Sequence, residues 1–284
     1  GWCALASNTD ARQNIGVGYV SLYQNTTGEF NTSVGSASLS NNTTADYNVG
    51  IGYQSLNGNT TGADNTAVGS QALKANTTGA SNVAIGQCAL ANTTSIGNQT
   101  AVGTCALRAN TSGHSNTAYG YLAACANTTG CYNTALGRAA LQTKTTGSSN
   151  TAVGYNALQA TSAGQFNTSV GAYSLDAVTT SNYNTANGFN AGTDITTGCC
   201  NVTVGAGAGK NVTTGIRNTI IGMCAGHNVT TGSNNVLIGR CACSDAVGTS
   251  NTIAMGENVV SIANSVSFGN GSTDSRIAFG ATSI

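Results

Sequence analysis

The sequence predicts an all-β chain, a parallel β-solenoid (β-roll) wound in coils of seventeen residues, and three observations point to it. The first is a glycine on a fixed beat. Gly69, Gly86, Gly103, Gly120, Gly137 and Gly154 stand seventeen residues apart, and the beat runs from Gly1 to Gly256 without an insertion. A short period that never drifts marks an array in which each repeat stacks on its neighbours. The second is the absence of proline from all 284 residues. This suits a chain whose backbone N–H groups are nearly all committed to ladders, since proline cannot donate. The third is the unit itself, Asn65-Thr-Ala-Val-Gly69-Ser-Gln-Ala-Leu73 followed by Asn76-Thr-Thr-Gly79. It offers two short strand-like segments and one stretch of turn chemistry. A helical hairpin repeat needs more than about thirty residues and would not tolerate so many interior glycines.

Stacking at about 4.8 Å turns each position of the repeat into a column. Four residues before the beat glycine stand Asn65, Asn82, Asn116, Asn133 and Asn150, with Gln99 substituting once. Their stacked amides are expected to hydrogen-bond from coil to coil. Val or Ile before the glycine and Leu four residues after it are read as core columns. Alternation puts Asn150, Ala152 and Gly154 on one face and Thr151, Val153 and Tyr155 on the other. The first face is almost flat, which lets another backbone approach, and a single coil with one Val and one Leu buries little alone. A homotrimer wound side by side is therefore expected, with a single-chain solenoid as the alternative. Between Asn184 and Cys243 the Leu column becomes Gly192, Gly209 and Gly226, while the column two before the beat becomes Thr203, Ile220 and Leu237. Such an exchange implies that the two columns fill the same space.

The regular shaft spans residues 1–256, and fifteen intervals predict a rod of roughly 70 Å. In residues 257–284 the beat shortens, through Ala263-Asn-Ser-Val-Ser-Phe-Gly269 and Arg276-Ile-Ala-Phe-Gly280. These two segments resemble the head repeats of YadA-type trimeric autotransporter adhesins, and the Asn-Thr-Ala-Val-Gly and Asn-Thr-Thr-Gly units resemble repeat arrays of phage and giant-virus tail fibres. The resemblance covers essentially the whole chain. It implies a trimeric fibre that presents or forms a host-attachment surface at a cell exterior or virion surface, although typical head repeats are shorter than seventeen residues.

Composition narrows the chemistry. Nine basic and nine acidic residues give zero net charge. Without a basic stripe, no nucleic-acid partner is expected. With no run of eighteen apolar residues, no membrane insertion is expected either. The acids are too dispersed for a glycan-processing β-helix enzyme, so no catalytic residues and no cofactor are assigned. Glu29, Asp46 and Asp64 on successive coils read as solvated surface. Arg240 and Glu257 read as an exposed pair. Cys3, Cys88, Cys105, Cys224 and Cys241 share one small-residue column without zinc spacing, so no metal is assigned. Stacked Cys88 and Cys105 have parallel Cβ vectors unsuited to a disulfide, whereas Cys125 and Cys131 flank one turn as a candidate bridge. Two rows of rings flank the strand, and Tyr121, Tyr132, Arg138 and Tyr155 are candidate contacts to a cell-surface glycan or receptor, against the commoner packing of rings on cross-strand neighbours. Ice binding is the further alternative, weakened because consecutive threonines such as Thr60-Thr61 diverge in a turn.

Overall fold

The computed structural model describes residues 1–278 and is all-β, without a helix. The chain forms two compact units, 1–147 and 148–284, each a parallel β-solenoid. The first holds eight three-residue strands, from β1 (Ile15–Val17) to β8 (Thr134–Leu136). The second holds six of the same kind, from β9 (Thr151–Val153) to β14 (Val236–Ile238), and then β15 (Cys243–Ser244), β16 (Thr252–Gly256), β17 (Val260–Ser261), β18 (Ser265–Gly269) and β19 (Ser275–Ala278). Pairing is in register at the repeat length, as in Thr66↔Val83 and Thr100↔Thr117. The β16–β18 pair shortens the step, aligning Gly256 with Gly269. There β19 folds back antiparallel on β18, pairing Ile277 with Val266. Of the shorter-period segment, Phe279 and Gly280 lie outside the described residues.

Ladder bonding runs around the whole coil as well as through the strands. Leu73 N donates to Ala89 O at 3.0 Å, Thr77 N to Thr94 O at 2.7 Å and Gln71 N to Tyr53 O at 2.8 Å. This is the structural reason that proline is missing. Between strand and turn, Ala72 N bonds Gly69 O at 3.3 Å and Asn76 N bonds Leu73 O at 3.1 Å, so two tight turns follow each other. They hold Leu73 at φ 50°, in the left-handed region that a leucine rarely occupies. Its complete burial holds it there.

The beat glycine is required twice over. Gly120 adopts φ 137°, and a Cβ built on it would stand 2.5 Å from Gly137 O in the next coil. No side chain fits between backbones that close.

The faces are the reverse of the expectation for assembly. Asn150 and Ala152 are fully buried inside the coil, and the Leu column, including Leu73, Leu90 and Leu158, packs beside them. One chain thus closes each coil by itself, and the flat Asn-Ala-Gly face is its lumen. The Val/Ile column is not core: Val17, Val34, Ile51 and Ile85 all point outward, with Val17 54% exposed. Alternation had shown which residues share a face without showing which face is closed off. The buried amides tolerate the interior because they are hydrogen-bonded. Asn65 Nδ2 donates to Gly79 O at 2.8 Å, and its Oδ1 accepts from Asn82 N at 3.0 Å.

A second buried ladder comes from the asparagine of Asn-Thr-Thr-Gly. Asn42 Nδ2 reaches Asn25 Oδ1 at 2.8 Å, Asn59 reaches Asn42 at 2.9 Å and Asn76 reaches Asn59 at 2.9 Å. It stops where Thr93 replaces asparagine, which leaves Asn76 Oδ1 buried without a partner. In the second unit this column turns aliphatic, with Val178, Ile195, Val212 and Val229 fully buried. A Cβ on Gly209 would meet Thr203 Cγ2 at 2.7 Å and Ile220 Cδ1 at 3.2 Å, and one on Gly226 would meet Ile220 Cδ1 at 2.9 Å. The exchange of volume between the two columns is therefore physical.

Two substitutions test this packing by urea unfolding. Gly120→Ala is expected to lower stability by more than about 3 kcal/mol, from steric overlap and a φ that alanine avoids. Thr93→Asn is expected to raise it by about 1 kcal/mol by giving Asn76 Oδ1 its missing donor.

Candidate interaction surface

With the amides turned inward, each coil presents the remaining residues of its strand segment outward, a Thr or Val and most often a Val or Ile, flanked in some coils by a ring on one or both sides. Tyr47, Val49, Ile51 and Tyr53 show the full set in one coil, with both rings more than half exposed. Stacking repeats the central pair of positions at the coil spacing, so the outward sheet face of each unit is a narrow Thr/Val and Val/Ile ribbon with rings at its margins in particular coils.

The spacing between coils also orders the rings. Phe30 lies flat on Tyr47 with centroids 4.9 Å apart at 7°, and Phe166 on Tyr183 at 5.0 Å and 5°. This is cross-strand packing in an exposed setting, where one face or edge of each ring remains open. Among the candidate contacts, Tyr121 and Arg138 come together, the guanidinium carbon lying 5.7 Å from the ring centroid. Such a cation–π contact on an exposed ring contributes about 0.5–1 kcal/mol. Tyr132 stands apart from them, edge-on to His114 at 4.8 Å and 61% exposed. Tyr155, in the second unit, meets Tyr173 edge-on at 5.0 Å.

The polar groups at the surface are mostly engaged with the chain itself. Asp46 Oδ1 accepts from Glu29 N at 2.7 Å, which caps the backbone of a neighbouring coil. Arg240 Nε donates to Glu257 Oε1 at 2.8 Å, and that hydrogen bond and charge raise the arginine pKa. Turn threonines spend their hydroxyls on the next coil, as Thr60 Oγ1 does on Thr77 O at 3.0 Å. His114 Nδ1 lies 3.4 Å from Ser115 Oγ at an exposed position. Among the described residues, no cluster of three or more His, Cys, Asp or Glu side chains could hold a metal ion. Among the same residues, no helix is long and apolar enough to cross a membrane.

The expected bridge between Cys125 and Cys131 does not form. Cys125 is a buried free thiol whose pKa is raised by desolvation, beside Arg108 and Cys105. Cys131 instead places Sγ 3.5 Å from His114 N and 3.5 Å from Thr129 O, at another corner of the coil. Flanking one turn in sequence does not place two side chains on the same wall of a coil.

One buried residue has no counterpart in the sequence reading. Lys144 occupies the column of the second amide ladder and is fully buried, and desolvation pushes its pKa down to about 7. Asn127 Oδ1, one coil earlier, is buried without a partner. The signal was available in the repeat, as the only charge at a phase otherwise filled by Asn, Thr, Val, Ile or Ala.

Neither the protein-family models nor the curated proteins compared with this chain contain a match to it.

Lys144→Asn is expected to stabilise the first unit and to remove a pH dependence. The unfolded chain keeps this lysine protonated up to its ordinary 10.5, the folded chain only up to about 7. The unfolded state therefore binds more protons in that window, and stability of the natural chain rises with pH from about 7 to 10.5. Urea midpoints across the window should rise for the natural chain. For the variant this contribution should be flat, with a higher midpoint at pH 7.

Proposed function

We propose that this chain is the shaft of an attachment fibre at a cell exterior or virion surface, assembled as a homotrimer through its outward Thr-x-Val/Ile ribbon. The observation that carries this reading is the division of labour within the coil. Polar groups are largely consumed internally, while the outward strand face repeats a narrow apolar row, including Val34, Ile51, Val68 and Ile85. Contiguous apolar surface of this kind is characteristic of association sites. Parallel copies with the same period bring identical rows into register within each unit, which suits a cyclic assembly. The resemblance to trimeric adhesin heads and tail-fibre arrays supports the number three. A cell-surface glycan or receptor would then meet the rings at the margins of the ribbon, such as Tyr121 with Arg138, or domains outside these repeats.

Ice binding gains one observation from the same face. Thr100, Thr117 and Thr134 stand in a row on the strand itself, in adjacent coils, unlike the diverging threonines of the turn. Light scattering separates the two readings, because a face buried between copies cannot also meet ice. The expected result is a mass of three chains. A folded monomer that depresses the freezing point without changing the melting point would replace the shaft reading with the second.

Ile51→Lys combined with Val68→Lys is expected to leave the coil folded, changing monomer stability by about 0.5 kcal/mol or less per exposed site, and to abolish assembly. An assembly of unchanged mass would move the interface elsewhere. Deleting two whole repeats, residues 82–115, keeps every column in register and should preserve attachment by the complete fibre. Loss of attachment with assembly intact would place the adhesive surface inside the deleted coils.

A further inference from the structure

We propose that the stacked cysteine pairs Cys88–Cys105 and Cys224–Cys241 are two sites for a soft, closed-shell metal ion of the Cu(I) class, each held linearly between two thiolates. The members of each pair occupy the same position in successive coils. Cys105 N donates to Gln87 O at 2.8 Å and Cys241 N to Met223 O at 2.9 Å, which fixes the two coils at ladder spacing. Backbone angles match closely, with φ 55° and 59° in the first pair and 54° and 55° in the second. Equal backbone conformation at equal height makes the Cα–Cβ bonds parallel, so each pair of Cβ atoms stands about 4.8 Å apart.

That spacing excludes one chemistry and fits another. A disulfide needs Cβ atoms about 3.5–4.5 Å apart, converging on a sulfur–sulfur bond of about 2.05 Å. Two metal–thiolate bonds of about 2.3 Å laid end to end span about 4.6 Å. Thiolate donors select Cu(I), and an ion content with two ligands in line needs no third group. Both pairs can be reached from solvent: Cys224 is exposed, and Cys88, Cys105 and Cys241 are partly so. Cys88 Sγ lies 3.6 Å from Gln71 Oε1, the equivalent position in the preceding coil, so side chains of this column reach from coil to coil. At the second pair, the Arg240 guanidinium, paired with Glu257, is also within electrostatic reach of both sulfurs. On binding, each thiol releases its proton to water as its sulfur–metal bond forms, giving one singly negative complex per Cu(I).

The test loads the full chain with Cu(I) anaerobically in the presence of bathocuproine disulfonate as competitor, and measures retained copper and its X-ray absorption. Two copper ions per chain with a two-sulfur shell are expected. Cys88→Ala and Cys224→Ala should each lose one, since Ala37 and Ala139 hold the same left-handed position without harm to the coil. Cys200→Ala should lose none. Full copper retention by the Cys88→Ala, Cys224→Ala double variant would overturn the proposal, as would three or four sulfurs per metal, or a loss on Cys200→Ala equal to that on Cys88→Ala.

Discussion

The close approach of successive backbones at the beat glycine is the constraint on which the rest of the coil depends. Gly69 N donates to Ile51 O at 2.7 Å, and a Cβ on Gly69 would lie 2.7 Å from Gly86 O. Contact that close fixes the height of every coil against the next, and with the height fixed each other residue meets its own equivalent. The ladders of asparagine, the stack of leucines and the stacked rings all follow from that one equality. Insertion of even one residue would shift whole columns, since the inward and outward sets alternate with a period of two. An unbroken beat of seventeen is what such mutual dependence requires.

Within that frame the interior has two ways of being filled. In the first unit an amide ladder runs along the wall at Asn25, Asn42, Asn59 and Asn76, beside leucines such as Leu39 and Leu73. In the second, Ile195, Val212 and Val229 take the ladder's place, and the leucine column empties to Gly192, Gly209 and Gly226 to make room for Ile220 and Leu237. Each solution is complete in itself: an amide ladder satisfies its donors and acceptors from coil to coil, and an aliphatic stack has none to satisfy. Strain collects where the ladder is interrupted. The unpartnered Oδ1 atoms of Asn76 and Asn127 mark such places. A buried acceptor without a donor costs about 1–3 kcal/mol, so a ladder is strongest when long.

The fold was legible in the sequence because a strict period is a statement about neighbours. Gly154 and its equivalents supplied the register, Asn150 and its equivalents the columns, and Gly209 with Ile220 the shared volume. The sense of the strand was not legible. Alternation pairs Asn150 with Ala152 and Thr151 with Val153, but hydropathy alone turns Val153 inward, and only the bonding of each buried amide to a neighbouring coil reverses it. The buried asparagine of the Asn-Thr-Thr-Gly turn was missed for a related reason, since turn chemistry explains that residue locally and leaves its coil-to-coil role unsought. Among the candidate contacts, Tyr121 and Arg138 meet because they occupy one column in adjacent coils. Tyr132 falls in another column, and Cys125 and Cys131 fail to bridge although close in sequence. In a solenoid, phase within the repeat predicts contact and linear distance does not.

That rule also separates what the repeat must keep from what it is free to vary. Through the middle of the chain the inward position two before the beat is held constant, alanine at Ala67, Ala84, Ala101, Ala118, Ala135 and Ala152, and where it enlarges to Ile220 and Leu237 another inward column shrinks to match. Outward positions vary within the same coils, from Val68 and Ile85 to Tyr119 and Leu136 in the column just before the glycine, and from Tyr53 to Ser70, Gln87 and Arg138 in the column just after it. The lumen constrains the combined volume of its columns and the pairing of its polar groups, whereas the outer wall is constrained only by what it meets. Differences between coils on that wall are therefore where recognition has to be written, whether the wall meets a second copy of the chain, a glycan or a metal ion. A fold that settles its own stability in every coil leaves its outward columns available for that purpose, one coil at a time.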